Sequence, residues 1–599
     1  MENIIDRKPC LVTAAQGFSV SYNNKLLYSK YSPDKAILQT VASLNLLPGT
    51  LILCLSPVLP YGLFELTQKL PQNCLLLGIE ADSELLEFIK TSESESTIKA
   101  EWQKINETGK FTMLSKEEIL NLPVILNKKQ YVTNSGFSLP AGGTFRRVLC
   151  LNCSAGTQLH TDFYTELQQS CVNAIMTFWS NTVTLTKFGH NYSKNFFKNL
   201  KLLPQTKPIQ NYFNSVSKSI IVFGAGQSID KGIAQLKQNI LNGHADDYYI
   251  LCADTALQPL LKNNIIPDGV FIEEAQQVIT KAFIGTAKAI QNKTQVFAGL
   301  SSISRLTLNF PLERLSFFTT LYTAADFIHN MQALNLLPPA NKPFGSVGLT
   351  SVYYALRFRR DDDVPVFIYG LDFSFSAGIT HGKGTPAHTN RLLSVNRLNP
   401  AQNYGSAFSE STQAATDKKG SKIFTTHILS SYATTFNSLF QNEINLFDSG
   451  ETGLPLAIPV ATPSISNIPG KADIRVKPEY DIKQSEHDIK QFEHNTKQCE
   501  HNNISATQMS FPCSTQEAAK LTEFFTNESA ALNELKDILT GKITLSEEER
   551  NNRILELITQ REYLYLHFPD GHKVSTDVSF LKRVRAEIEI FLKIFGEKK

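Results

Sequence analysis

An excess of charge of either sign is missing from this sequence: 58 Lys and Arg stand against 56 Asp and Glu, a net charge of +2. A generic electrostatic nucleic-acid binder needs a basic surplus, so that class is excluded. Long hydrophobic runs are missing too. No stretch approaches the ~18 uninterrupted apolar residues of a spanning helix, and no membrane span is expected. The segment from Met1 to Lys8 carries acids and no apolar core, so no secretory signal is read there. Cysteine is sparse and odd in number, nine residues scattered between Cys10 and Cys513, which does not suit a disulfide scaffold. What is present is a 599-residue chain, 42% apolar, with 38 Phe and 19 Tyr, enough to bury sizeable cores. At roughly 100–200 residues per domain, that length predicts several folding units. The expectation is a cytoplasmic, multidomain α/β protein.

Residues 1–205 read as an N-terminal α/β domain. Residues 49–55 and 74–80 are buried-strand candidates, and Leu63, Leu66 and Leu70 between them share one helix face. The resulting βαβ unit ends in Glu80, a position from which an acid can reach a ribose. Its loop from Ser56 to Pro60 has no glycine, so the backbone cannot come close to a phosphate, and a degenerate Rossmann-like unit with a structural role is expected. Cys150 and Cys153 have the spacing of half a zinc knuckle with no second half, and are assigned to packing.

Residues 455–513 read as a low-complexity linker. Its repeats, 481–487, 488–494 and 495–501, each end in His (His487, His494, His501). On a helix these could hold a metal, but repeats so polar fit a solvated linker better. Residues 514–599 read as a C-terminal helical domain. Ser514–Glu517 and Ser546–Glu549 match the capping box, and Leu581, Val584, Ile588, Phe591, Leu592 and Phe595 form one stripe. Nothing in this segment suggests chemistry, and packing or partner docking is the expected role.

Residues 215–450 hold the strongest signals. A β-branched strand over 219–223 runs into Gly224, Ala225, Gly226, Gln227 and Ser228, and then into an amphipathic run with Ile233, Leu236 and Ile240. Strand, glycine turn and helix is the context in which such a loop can bring its backbone to an anion. Ile229 stands where a dinucleotide fingerprint wants a third small residue, so NAD is disfavoured. The next strand, 248–252, is followed by Asp254 and Thr255, and a third, 268–272, by Glu273 and Glu274. Acids on successive strand ends share the rim where open α/β sheets bind ligands, although Asp254 could equally cap its helix. Gly345 and Ser346 open a further helix, another N-terminus suited to phosphate or carboxylate oxygens. The strand 364–369 ends in Gly370, Leu371, Asp372 and Phe373, and His381 follows in a glycine-flanked loop. Asp372 and His381 form a candidate acid–base pair, because imidazole has the proton affinity to deprotonate a hydroxyl near neutrality. A loop histidine bonded to backbone is the alternative.

Taken in order, the runs 224–230, 254–257 with 266–268, 345–347, 370–373 and 380–385 resemble the motility-associated factor (Maf) family of flagellin glycosyltransferases. The central domain of that family is similar to bacterial sialyltransferases of GT-A-like type, which carry a Gly-x-Gly-Pro-Ser loop and a Gly-Ile-Asp-Phe strand end. The resemblance covers residues 215–400, with the flanks agreeing in layout only. It implies a Rossmann-like/GT-A-like nucleotide-sugar domain between an N-terminal α/β and a C-terminal helical domain. By the same resemblance, Gly224, Gly226, Gln227 and Ser228 would hold the phosphate and ribose of a CMP-activated sugar. Asp254 and Thr255 would lie near the nucleoside, with Glu273 on the same rim. Gly345 and Ser346 would lie near the nucleotide or the sugar carboxylate. Asp372 would shape the floor, and His381 would be the base. Gln227 replaces the usual Pro, and Glu273 and Glu274 stand where the family usually shows an Asp.

The implied reaction is inverting transfer of a nonulosonic acid, such as pseudaminic, legionaminic or sialic-type acid, from CMP to Ser or Thr of flagellin. CMP is already a good leaving group, so positioning and a base suffice, and neither a metal nor a tightly bound cofactor is expected. Two alternatives stand beside it: an ATP- and Mg²⁺-dependent pterin pyrophosphokinase, and a non-catalytic flagellin-binding factor.

Overall fold

The computed structural model describes residues 8–92, 96–126, 131–140, 142–323, 325–463, 515–571 and 573–596. They fall into two compact units, residues 1–187 with 568–572, and residues 188–567 with 573–599. The heptad repeats with His487, His494 and His501 lie outside the described residues.

In the first unit, Thr50–Leu55, Leu75–Ile79, Phe111–Met113 and Arg147–Asn152 form a four-stranded parallel sheet. A three-stranded antiparallel meander precedes it. The helix Leu63–Lys69 connects the first two parallel strands, as the apolar spacing predicts. Glu80, at the second strand's end, is buried among its own unit's groups: Oε2 accepts from the Ser56 hydroxyl at 2.7 Å, and Oε1 from the Asp82 amide at 2.9 Å and the Tyr164 hydroxyl at 3.2 Å. Cys153 is buried in the same sheet's core, and burial pushes the Cys150 thiol up to about 11.

The second unit is built on an eight-stranded sheet. In chain order its strands are β1 (Ser219–Phe223), β2 (Tyr248–Ala253), β3 (Gly269–Ile272), β4 (Gln295–Gly299), β5 (Leu315–Thr320), β6 (Ala340–Asn341), β7 (Val366–Tyr369) and β8 (Leu446–Asp448). All neighbours are parallel, in the order β6-β5-β4-β3-β2-β1-β7-β8. Chain order therefore runs outward from β1 on one side and resumes on its other side at β7. The carboxyl ends of β1 and β7 flank this switch point, where open parallel sheets place their ligands. β7 starts at Val366 because Pro365 has no amide to give a ladder.

Several of the phenylalanines pack on one sheet face. Phe271, Phe297 and Phe318 from β3, β4 and β5 pack against Tyr354 and Phe358 of the helix Val347–Phe358, with ring centroids 4.9–6.3 Å apart. Each such buried ring contributes roughly 1.5–3 kcal/mol relative to exposure. On the opposite face the helix α1 (Ile229–Leu241) comes close through Gly232, where an added Cβ would sit 2.5 Å from the Tyr369 ring and 2.7 Å from that of Phe223.

At the carboxyl edge the helix Thr515–Leu539, the helix Glu547–Thr559 and the helix Val578–Gly596 complete this unit. The capping box at Ser546 is formed, and the stripe from Leu581 to Phe595 is buried except for half-buried Leu592. Ser514 of the other expected box is outside the described residues. Phe197, on the helix His190–Leu200, meets Phe591, Phe595 and Tyr563 with centroids 5.8, 5.1 and 4.8 Å away. Asn199 on that helix donates to the Leu300 and Ser302 carbonyls at 2.9 and 2.7 Å, and accepts from the Thr307 hydroxyl at 2.5 Å. Asn195 donates to the Ala275 and Ser301 carbonyls, both at 3.3 Å. The helix thus fixes the loops leaving β3 and β4.

The switch point is closed by two glycines. The Gly224 amide donates to the Tyr369 carbonyl at 2.7 Å and the Gly226 amide to the Gly370 carbonyl at 2.8 Å. A Cβ on Gly224 would lie 2.4 Å from the Gly370 carbonyl oxygen, and one on Gly370 would lie 2.2 Å from that of Gly224. Gly370 also has φ +71°, in the left-handed region. Gly370→Ala is expected to destabilise the protein by about 2–4 kcal/mol, combining left-handed strain with overpacking. Denaturant unfolding of the variant against wild type measures it, and a loss below about 1 kcal/mol would show that the two loops can separate.

Candidate functional site at the carboxyl edge of the sheet

Asp372 leaves β7 beneath the glycine loop and organises it. Its Oδ2 accepts from the Ser228 amide at 2.8 Å and its Oδ1 from the Ser228 hydroxyl at 2.5 Å, while that hydroxyl accepts from the Gly370 amide at 2.7 Å. Gly226 is glycine because a Cβ there would sit 2.6 Å from Asp372 Oδ2. Burial pushes the Asp372 carboxyl up to about 6, against the pull of the Ser228 hydrogen bonds and of Lys418. Lys418 comes from the turn of an antiparallel ribbon, Thr412–Thr416 with Lys422–Thr426, and pairs with buried Asp448 at the end of β8.

The loop was expected to offer its amides to an anion. In this arrangement the amides of Gly224, Gly226 and Ser228 are taken as described, and those of Ile229 and Asp230 bond back to the Gly226 and Gln227 carbonyls at 3.2 Å. Ser228 is buried, so the accessible lip is Ala225, Gly226 and Gln227.

The segment after Phe373 folds over that lip. The Gln227 side-chain carbonyl accepts from the Ser376 amide at 3.1 Å and hydroxyl at 2.8 Å. The Gly382 amide donates to the Ala225 carbonyl at 3.0 Å and the Lys383 amide to Asp230 Oδ1 at 2.9 Å. His381 is therefore held beside the glycine loop. Its ring is exposed, with Nδ1 3.1 Å from the Thr380 hydroxyl, yet the surrounding segments exclude enough water to lower its proton affinity below that of a free imidazole. The acid–base pair expected of Asp372 and His381 is not formed: Asp372 is spent on Ser228, and His381 turns to Thr380.

A second cluster lies along the same edge. Asp254 opens the helix α2 (Asp254–Lys262), is buried, and accepts from the Thr255 amide at 2.6 Å. Burial pushes its carboxyl up to about 7, and repulsion from Glu274 and Glu273 adds to this. Glu273 accepts from the Thr320 hydroxyl at 2.5 Å and from that of Thr350, and its proton affinity is raised by burial despite both bonds. Tyr192 on the helix His190–Leu200 feels the charges of Glu274 and Glu273 and packs on Tyr322, centroids 5.3 Å apart. The helix Val347–Phe358 links the two clusters. Ser346 caps it by accepting from the Gly348 amide at 3.3 Å, Thr350 reaches Glu273, and a Cβ on Gly348 would lie 2.3 Å from Leu371. Exposed Gly345, φ +81°, would bring a Cβ to 2.7 Å from the Tyr432 ring.

Sequence reasoning did not find Lys418, Asp448, Tyr192, Thr320 or Thr350. Asp448 had a usable signal, since it ends an apolar strand as Asp254 does. Lys418 and Thr350 reach the edge from distant elements and had none.

Residues 190–378 match the family model described as 6-hydroxymethylpterin diphosphokinase MptE-like. The whole fold is similar to a solved structure titled as a MAf glycosyltransferase from Magnetospirillum magneticum AMB-1, with a TM-score of 0.54 and 12% identity over 99% of this chain and 92% of that one. An uncharacterized protein of Treponema pallidum (strain Nichols) is 30% identical over 604 residues, covering 98% of this chain and 95% of the relative. The chain belongs to the family of that protein.

The raised Asp254 carboxyl fixes a pH dependence. Its folded-state value near 7 lies above the ~3.9 of an unfolded aspartate, so the folded state holds the proton more tightly and loses stability as pH rises between these values. Asp254→Asn removes that loss. The stability gap between variant and wild type should widen from about pH 4 to about pH 7 and then stay flat, as read by denaturant midpoints across that range.

Proposed function

We propose that this protein is a glycosyltransferase that moves a nonulosonic acid from its CMP-activated form onto Ser or Thr hydroxyls of flagellin. The observation that carries this reading is the docking of the His381 loop on the glycine loop at the switch point, in a fold similar to a Maf glycosyltransferase across the whole chain. The donor lies over Ala225, Gly226 and Gln227, with Asp254 accepting ribose hydroxyls and Ser346 opening a helix toward the sugar carboxylate. Gly224, Ser228 and Asp372 serve as the floor, and Thr255 and Glu273 border the nucleoside side. His381, kept neutral by its surroundings, takes the proton of the acceptor hydroxyl. The hydroxyl oxygen bonds to the anomeric carbon as the bond to the CMP phosphate breaks, and CMP leaves with that electron pair. The configuration inverts because the acceptor enters opposite the leaving group. No step in this sequence calls on a metal, and the reaction belongs to the cytoplasm, where unexported flagellin and CMP-sugars meet.

The match of residues 190–378 to a pterin diphosphokinase-like model favours one second reading, pyrophosphoryl transfer from Mg²⁺-ATP, with Asp254, Glu273 and Glu274 near the metal.

Intact-mass analysis of flagellin co-expressed with this protein and a nonulosonate pathway separates them. An added mass of one nonulosonic acid per site is expected. In His381→Ala the rate should fall by about 10²–10⁴-fold, the usual contribution of a general base. An unmodified flagellin with a confirmed donor pool overturns the transferase, and Mg²⁺-dependent turnover of ATP with a hydroxymethylpterin would establish the second reading instead.

A further inference from the structure

The helix Val578–Gly596 buries Phe580, Val584, Ile588 and Phe591, and Glu587 lies on that same buried side. A carboxylate there is costly unless compensated. Two imidazoles compensate it, one from the start of this unit and one shortly before the helix: His190 Nε2 lies 3.1 Å from Glu587 Oε2, and His567 Nε2 lies 3.4 Å from Oε1. The two rings are stacked, centroids 4.7 Å apart and planes within 17°. Each histidine thus presents the same kind of nitrogen to a different oxygen of one carboxylate, and the three ligand atoms lie within 4.8 Å of one another.

The stacked rings bring two imidazole nitrogens and one carboxylate together at a buried point, and one divalent ion can take all three as ligands. Nitrogen and carboxylate donors suit a borderline ion of the zinc type, which binds imidazole at about 2.0–2.1 Å and carboxylate at about 2.0–2.2 Å and accepts three protein ligands plus water. Tetrahedral ligands at those lengths lie about 3.4 Å apart, so small side-chain rotations close the present set onto an ion. The His190 side chain is one-third exposed, while its Nε2 and the Glu587 Oε2 it faces are themselves buried.

We propose that His190, His567 and Glu587 form a binding site for a divalent transition-metal ion of the zinc class. The ion ties the helix His190–Leu200 to the helix Val578–Gly596. Because the former carries Asn195 and Asn199, the metal secures the loops leaving β3 and β4 without touching the reacting groups. The site stands independently of the transfer reaction.

The test uses the full chain carrying His487→Asn, His494→Asn and His501→Asn, so that the repeat histidines cannot contribute. After removal of metal by a chelator, Zn²⁺ is titrated calorimetrically and Co²⁺ is followed by visible absorption. One ion per chain is expected, with a rise in Tm and the absorption of low-coordinate Co²⁺. Glu587→Gln should weaken binding by at least the roughly 10–100-fold that loss of even an outer-sphere partner costs a metal site. Circular dichroism of each metal-free protein establishes that it is folded. Should Glu587→Gln fail to fold, His190→Asn, at the exposed corner of the site, serves in its place. No binding by the folded parent, or unchanged affinity in a folded variant, overturns the proposal.

Discussion

The rest of the second unit depends on the backbone-to-backbone closure of Gly224 against Gly370. Two strands diverge at a switch point, and their ends would normally separate to make a crevice. Here the missing Cβ atoms let the two loops share hydrogen bonds directly, and Asp372 then reaches under Gly226 to hold Ser228 through both its amide and its hydroxyl. The loop's inward amides are spent on the fold. Chemistry at this edge therefore uses what projects outward, the lip from Ala225 to Gln227 and the segment carrying His381.

Acids gather along the same edge. Asp254, Glu273, Asp372 and Asp448 sit at the carboxyl ends of four strands, and burial raises the proton affinity of all four. Only Asp448 has a cation as direct partner, Lys418; the others rely on hydroxyl and amide donors. A carboxyl with raised proton affinity can hold a proton and donate it to a ligand, which a fully ionised surface aspartate cannot do. Stability is given up at an edge that can recognise ligands.

Much of this was legible in the sequence, and what was not has a physical reason. Strand β1 has the bounds its β-branched run predicts, and Asp254, Glu273 and Asp372 stand at strand ends as expected, because the interior of a parallel sheet is a mostly apolar run and an acid marks the exit from it. The glycine loop was recognisable but its purpose was not: a sequence shows that Gly224 and Gly226 lack side chains, not that Gly370 and Asp372 occupy the space. The C-terminal helices were legible as amphipathic and read as inert. Glu587 on the apolar stripe was the one discordant letter, and its partners His190 and His567 are separated by nearly the whole unit, so no spacing could connect them.

The loop from Ser376 to Lys383 is attached to the glycine loop chiefly through its own main-chain donors at Ser376, Gly382 and Lys383. Main-chain attachment is indifferent to most side chains, so Ala377, Ile379 and Lys383 can be exchanged without releasing His381 from its place, whereas Thr380 touches its ring. The fold separates what may vary from what must stay. Homologues can therefore diversify the face they present to a partner by point substitution alone, with the scaffold beneath it unchanged.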